Sequence, residues 1–214
     1  MIEIFTSTTE RSLFFIVIAL WFLSEIIGGN LIPHLRRHGT KVKGSDKDSR
    51  LLFARMLFAI GIYASLLIAY YFGINGIALL PIWSFYIGIT VMILGIILRQ
   101  YSIAILGRYF SGTIGTQKGQ MVVDKGPYKL VRHPSYTGIL LILTGLGLTL
   151  QSGEAVLLIL LVFGLTFGYR IYIEEKVLIS NLGDEYIEYM KRTKRIIPYV
   201  LWINKKKLEN EFMW

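Results

Sequence analysis

Long uncharged runs constrain this chain more than any other feature. Five stretches, 12–32, 52–72, 79–98, 136–150 and 155–173, are almost free of charged residues. A helix needs about 20 such residues to cross the hydrocarbon core of a bilayer, and only the fourth run falls short. Starting it at Pro134 brings it near the lower limit. The third continues as helix to Leu106, with Arg99 and Gln100 marking where it leaves the lipid. Hydrophobic residues make up 54% of the 214, and the mean hydropathy is +0.55. That is too apolar for an ordinary soluble domain. A backbone in hydrocarbon must satisfy its own polar groups. The runs therefore predict an all-α, polytopic membrane protein with about five transmembrane helices. No small-residue cleavage site follows the first run, so it is expected to be a span rather than a signal peptide.

The basic residues set an orientation. Arg36, Arg37, Lys41, Lys43, Lys47, Arg50 and Arg55 lie around the first connection, and Arg108, Lys118, Lys125, Lys129 and Arg132 in the third. Lys176, Lys191, Arg192, Lys194, Arg195 and Lys205 to Lys207 follow the fifth run. Only Arg11, Arg99 and Arg170 of the 23 Lys and Arg lie elsewhere. The connections near 73–78 and 151–154 carry none. The positive-inside rule then predicts an N-terminus outside and a C-terminus in the cytoplasm. The net charge of +9 is spent on topology and on anionic headgroups, so no nucleic-acid partner is expected. With no cysteine, disulfides, zinc–thiolate sites and cysteine nucleophiles are excluded.

Two polar clusters fall on the predicted cytoplasmic side. The first runs from Gly126-Pro127-Tyr128 through Arg132-His133-Pro134-Ser135-Tyr136-Thr137-Gly138. Pro134 suits the first turn of a helix, where a missing amide hydrogen costs nothing. The free amides of Ser135 and Tyr136 and the helix dipole would favour a carboxylate or ribose hydroxyls there. An interfacial basic cap on the helix is the plainer alternative. The second cluster is Arg170, Glu174 and Glu175. Arg170 and Glu174 share a helix face, either as a simple salt bridge or as a seat for an anionic head coming from the lipid. Charged groups at the edges of spans are functional candidates by default.

The remaining features read as structural. Residues 107–131 form a glycine-rich loop, with a short extended strip at 120–123. Residues 174–193 read as a surface helix packed on that loop, with Gly183 as its weak point. Gly164 and Gly168 form a small-residue step suited to close helix packing. Trp202, Met213 and Trp214 beside Lys205 to Lys207 resemble an interfacial anchor. His34 and His38 lack a third partner at ligand spacing, so no metal is expected. No dinucleotide fingerprint, P-loop or nucleophile elbow is present.

The 126–138 cassette, with Arg170-x3-Glu174-Glu175-x2-Leu178-x4-Gly183-Asp184-Glu185-Tyr186-x2-Tyr189 and Arg195-Ile196-Ile197-Pro198, resembles the isoprenylcysteine carboxyl methyltransferase family. The likeness covers roughly 107–198. It implies an integral-membrane S-adenosylmethionine-dependent methyltransferase without a Rossmann domain, its cofactor pocket roofed by a cytoplasmic C-terminal helix. It also implies cofactor contacts at Gln120, Met121, Val122, Val123, Tyr128, His133, Pro134, Ser135, Tyr136 and Glu174. Arg170 would hold the acceptor carboxylate, and Arg170 and Glu174 would be the catalytic pair. An upstream glutamine contact of the family has no secure counterpart here.

The resulting division is a three-span region at 1–106, a catalytic region at 107–198 and an interfacial tail at 199–214. The expected partners are a lipid-like methyl acceptor and membrane lipids, with the oligomeric state left open. Two rivals are kept: an NADPH-dependent integral-membrane reductase of a lipid or sterol-like substrate, and a non-enzymatic membrane subunit.

Overall fold

A computed structural model describes residues 7–32, 35, 43–44, 49–75, 80–117 and 119–197. Pro198, His34, His38 and the aromatic–basic tail expected at 199–214 lie outside the described residues. Helix α1 spans Thr8–Ser24. Ser7 caps it: the Glu10 amide donates to Ser7 Oγ at 3.1 Å, and the Ser7 amide donates to the Glu10 carboxylate at 3.2 Å. Such a reciprocal box satisfies two otherwise orphaned amides. A wide π-helical turn, Glu25–Leu31, continues α1. Helix α2 covers Ser49–Asn75, α3 Trp83–Leu106, α4 Pro134–Thr149, α5 Gly153–Leu182 and α6 Asp184–Arg192.

Among the described residues, four helices, at Thr8–Gly29, Leu52–Gly73, Trp83–Tyr109 and Gly153–Leu182, are long and apolar enough to cross a membrane. The fourth predicted run, α4, has 16 residues and rises only about 24 Å at 1.5 Å per residue. It is buried between α3 and α5, so it need not span alone. Outward residues such as Leu157, Leu161 and Leu165 on α5 are exposed, as are Phe15, Ile16 and Leu20 on α1. Water would penalise an apolar surface of this extent, whereas lipid suits it.

Packing runs α3 against α4, α4 against α5 and α2 against α5. The α3–α4 contact is close because glycines face it from both sides. A Cβ on Gly88 would come within 2.6 Å of the Gly145 carbonyl oxygen, and one on Gly138 within 2.9 Å of the Arg99 amide. One core cluster joins α1, α3 and α4 through Val17, Phe85, Ile89, Met92, Ile142 and Leu146. A second joins α4 and α5 through Leu143, Ile159, Phe163 and Phe167.

Three expectations change. The predicted step at Gly164 and Gly168 is not a packing seam, because a Cβ on either residue would meet no atom within 4 Å. The close approach is made by the α3 and α4 glycines instead. The helix expected at 174–193 is two elements: α5 runs unbroken to Leu182, the chain turns at Gly183 (φ +58°), and α6 follows. That positive φ suits glycine and little else. The strip 120–123 is irregular. Earlier in this loop, Gly115–Thr116 pairs antiparallel with Lys43–Gly44 as a two-residue patch.

Candidate active site

The first cluster takes its shape from the start of α4. Pro134 occupies the first turn, and the Tyr136 and Thr137 amides both donate to the His133 carbonyl, at 3.0 and 3.1 Å. The chain before it is pinned to the segment after α6. The Arg132 and His133 amides donate to the Lys194 and Arg195 carbonyls, at 2.7 and 2.9 Å. Two stretches about 60 residues apart thus share one short ladder.

Glu175 ties the same region together from α5. Its side chain is fully buried, and its carboxylate accepts from Arg132 Nε at 2.7 Å and from Arg195 Nε at 2.9 Å. Arg132 Nη1 also donates to the Thr193 carbonyl at 2.5 Å. The sequence groups this carboxylate with Arg170 and Glu174 in the second polar cluster. The structure makes it an internal anchor instead. A buried carboxylate shared between two guanidiniums has its lone pairs satisfied, and losing it would leave buried cations unpaired.

Glu174, one residue earlier, points the other way. Tyr136 Oη donates to Glu174 Oε2 at 2.6 Å and accepts from Arg170 Nε at 2.9 Å. The salt bridge read as an alternative for Arg170 and Glu174 therefore passes through a tyrosine hydroxyl. Arg170 Nη2 donates to the Gly112 carbonyl at 2.6 Å, tying α5 to the glycine-rich loop. His133 stacks on Tyr136 with ring centroids 5.4 Å apart and planes at 2°.

A cleft opens where these parts meet. Its empty space reaches about 820 Å³ counted to the open mouth, and Tyr128, His133, Ser135, Tyr136, Glu174 and the strip 120–123 line it. Nine of the ten predicted cofactor contacts therefore share one wall system. The tenth, Pro134, is fully buried behind it and acts by starting α4. Sequence reading missed Tyr109, Phe110 and Ser111, which line the cleft from the glycine-rich loop beside Thr113. It named Tyr186 and Tyr189 without giving them a role. Both line the cleft from α6, and Tyr189 Oη donates to the Tyr128 carbonyl at 2.7 Å. Burial pushes the Tyr128, Tyr186 and Tyr189 hydroxyls well above their ordinary range. They stay neutral at any physiological pH.

Arg170 lines a second, smaller cavity of about 330 Å³ between α2 and α5, with Ala54, Arg55, Phe58, Thr166 and Phe167. Phe167 meets Tyr136 edge to face at 5.0 Å. The two cavities thus share the Tyr136–Arg170 pair as a partition. Among the described residues, no group of three or more His, Asp or Glu could hold a metal.

Residues 87–180 match the family model described as the isoprenylcysteine carboxyl methyltransferase (ICMT) family. Protein-S-isoprenylcysteine O-methyltransferase B of Arabidopsis thaliana is 33% identical over 120 residues, which are 55% of this chain and 61% of that protein. The protein-S-isoprenylcysteine O-methyltransferase of Schizosaccharomyces pombe is 35% identical over 109 residues, 50% of this chain and 46% of that one. The chain thus spans about three-fifths of the first relative and under half of the second. A solved structure of the eukaryotic intramembrane Ras methyltransferase ICMT covers 92% of this chain and 70% of its own, with TM-score 0.64 and 24% identity. The resemblance read from the sequence is therefore shown: this chain carries the isoprenylcysteine carboxyl methyltransferase family pattern over 87–180, on the polytopic helical fold of that solved structure.

Proposed function

We propose that this protein is an S-adenosylmethionine-dependent O-methyltransferase acting on a lipid-type acceptor, a carboxylate of isoprenylcysteine type or a hydroxyl, at the cytoplasmic membrane face. The observation that carries this reading is the partition. One tyrosine hydroxyl joins Glu174 on the side of the polar cleft to Arg170 on the side of the apolar cavity. A polar donor and a greasy acceptor need such a two-sided site. Residues 107–198 would form the catalytic region, 1–106 the three-span region and 199–214 the membrane-surface tail.

The cleft residues fit the donor. Tyr109, Tyr128, Tyr186 and Tyr189 offer aromatic walls for a flat base, and Glu174 offers negative charge for a cationic centre. The cofactor, when bound, supplies an electrophilic methyl group. His133, Ser135 and the strip 120–123 would hold it beside Glu174, and the neutral tyrosines of α6 would cover it and exclude water. Arg170 would orient an acceptor carboxylate through its planar fork, which Tyr136 and Gly112 already hold in place. A carboxylate needs no general base. A hydroxyl acceptor would, and Glu174 and His133 are the candidates. Alignment of the two reacting atoms would supply much of the rate.

The test is methyl transfer from labelled S-adenosylmethionine into an extract of host lipids and prenylated peptides, with the product identified by mass. The reading requires labelled amphiphile, lost in Arg170→Ala. Absence of any product from folded protein that binds NADPH would favour the reductase.

A further inference from the structure

One polar cluster inside the apolar body lines neither cavity. Near the end of α1, Glu25 faces Arg99 of α3. The guanidinium gives Nε and Nη2 to the two carboxylate oxygens, with Nη2 2.7 Å from Oε2. Its remaining nitrogen, Nη1, lies 3.4 Å from the carbonyl oxygen of Ser135. Beside it, Gln100 Nε2 donates to Ser24 Oγ at 3.1 Å, and the Ser24 hydroxyl donates to the Trp21 carbonyl at 2.8 Å. The Arg99 and Glu25 side chains are only 12% and 24% exposed.

The backbone is shaped to permit this contact. The π-helical turn Glu25–Leu31 widens α1 where it meets α3. A Cβ on Gly28 would lie 1.9 Å from Gln100 Oε1. Wide turns of this kind concentrate at functional sites, and charged groups at the edge of a span are functional candidates.

We propose that Arg99, oriented by Glu25, is a positioning residue for the cleft. The two-oxygen grip of Glu25 fixes the plane of the guanidinium. The free Nη1 then holds the Ser135 carbonyl and, with it, the first turn of α4. His133, Ser135 and Tyr136 line the cleft from that turn, and Tyr136 in turn holds Arg170 and Glu174. The Arg99 backbone also abuts Gly138, so a shift of α3 is passed directly to α4. A displacement of about 1 Å is enough to cost about a hundredfold in rate when it misaligns reacting groups. Thus α1, which contributes no residue to either cavity, sets the geometry between them. This inference rests on the cleft being the methyl-donor site.

The test uses the full chain in detergent and two variants: Arg99→Lys, and the exchange Glu25→Arg with Arg99→Glu. Three quantities are read: the thermal midpoint, S-adenosylhomocysteine affinity by calorimetry, and amide hydrogen exchange over 133–139. A lysine cannot satisfy both Glu25 and Ser135. The exchange keeps an ion pair between α1 and α3 but removes the donor to Ser135. Both variants should bind about tenfold more weakly or worse, with faster amide exchange at the start of α4, while the exchange variant keeps most of its thermal midpoint. Arg99→Lys carries the test alone if the exchange variant does not fold. Restored affinity and protection in the exchange variant, or unchanged values in Arg99→Lys, would overturn the proposal and leave the pair as a dock for α1. If wild type binds no S-adenosylhomocysteine, the reading of the cleft fails instead, and the amide-exchange arm still decides the role of Arg99.

Discussion

Glu174 and Glu175 are neighbours in sequence, yet the regions they face are built on opposite principles. Around Glu175 the charges are matched: buried Arg132, partly exposed Arg195 and the ladder at 194–195 close over a carboxylate with no exposure. Around Glu174 the charges are strung through one hydroxyl and border open space on two sides. The first region spends its ions on holding three distant segments together. The second leaves Arg170 and Glu174 reachable from the cavities. A helix turns successive residues by about 100°, so one acidic pair can serve both regions.

The comparison is broken most severely through the anchor. Glu175→Ala should destabilise the fold by about 3–5 kcal/mol, because two guanidiniums lose their buried counter-charge. Thermal unfolding in detergent reads it, and cofactor binding should vanish with the fold. A near-neutral midpoint would mean that the cluster does not hold the segments. Arg170→Ala comes next. It should leave S-adenosylhomocysteine affinity intact while turnover of the acceptor falls by about a hundredfold, as expected for lost alignment. Equal loss of both quantities would place Arg170 in the donor site.

Smaller effects sharpen the contrast. Glu174→Ala and His133→Ala should each weaken S-adenosylhomocysteine binding by roughly tenfold, about 1.4 kcal/mol, with thermal midpoints of the unliganded protein close to wild type for Glu174→Ala. The smallest effect concerns pH. Tyr128, Tyr186 and Tyr189 have hydroxyls raised by burial. Their contribution to stability is complete below the unfolded value of about 10 and is lost as pH rises from there toward the folded values. Stability should therefore be flat in these groups from neutral pH to about 10 and decline beyond. A decline that Tyr186→Phe and Tyr189→Phe do not shift would assign it elsewhere.

Much of this was legible in the chain itself. Apolar runs announced the helices because lipid tolerates little else, and Pro134 announced the start of α4. The predicted contacts share one cleft because the loop at 120–128, the start of α4 and the middle of α5 meet on the same side. What escaped reading was pairwise. Nothing in Arg170-x3-Glu174 reveals that a tyrosine from another helix stands between the two, or that Glu175 turns inward. The glycine seam was misplaced for a similar reason. Gly164 and Gly168 have a favourable spacing, but only a partner helix decides which glycines are used, and α4 offers its own at Gly138 and Gly145 to α3. The loop residues Tyr109 to Ser111 carried no periodic signal, so their place on the cleft wall emerges only from the fold.

The central claim is that the cleft beside Glu174 receives a methyl donor. Isothermal calorimetry of the detergent-solubilised wild type against S-adenosylhomocysteine, with NADPH as a parallel titrant, tests it most directly. The account predicts saturable one-site binding of S-adenosylhomocysteine, weakened by Glu174→Ala and spared by Arg170→Ala, and no heat from NADPH. Binding of NADPH alone, or of neither compound to folded protein, would contradict it.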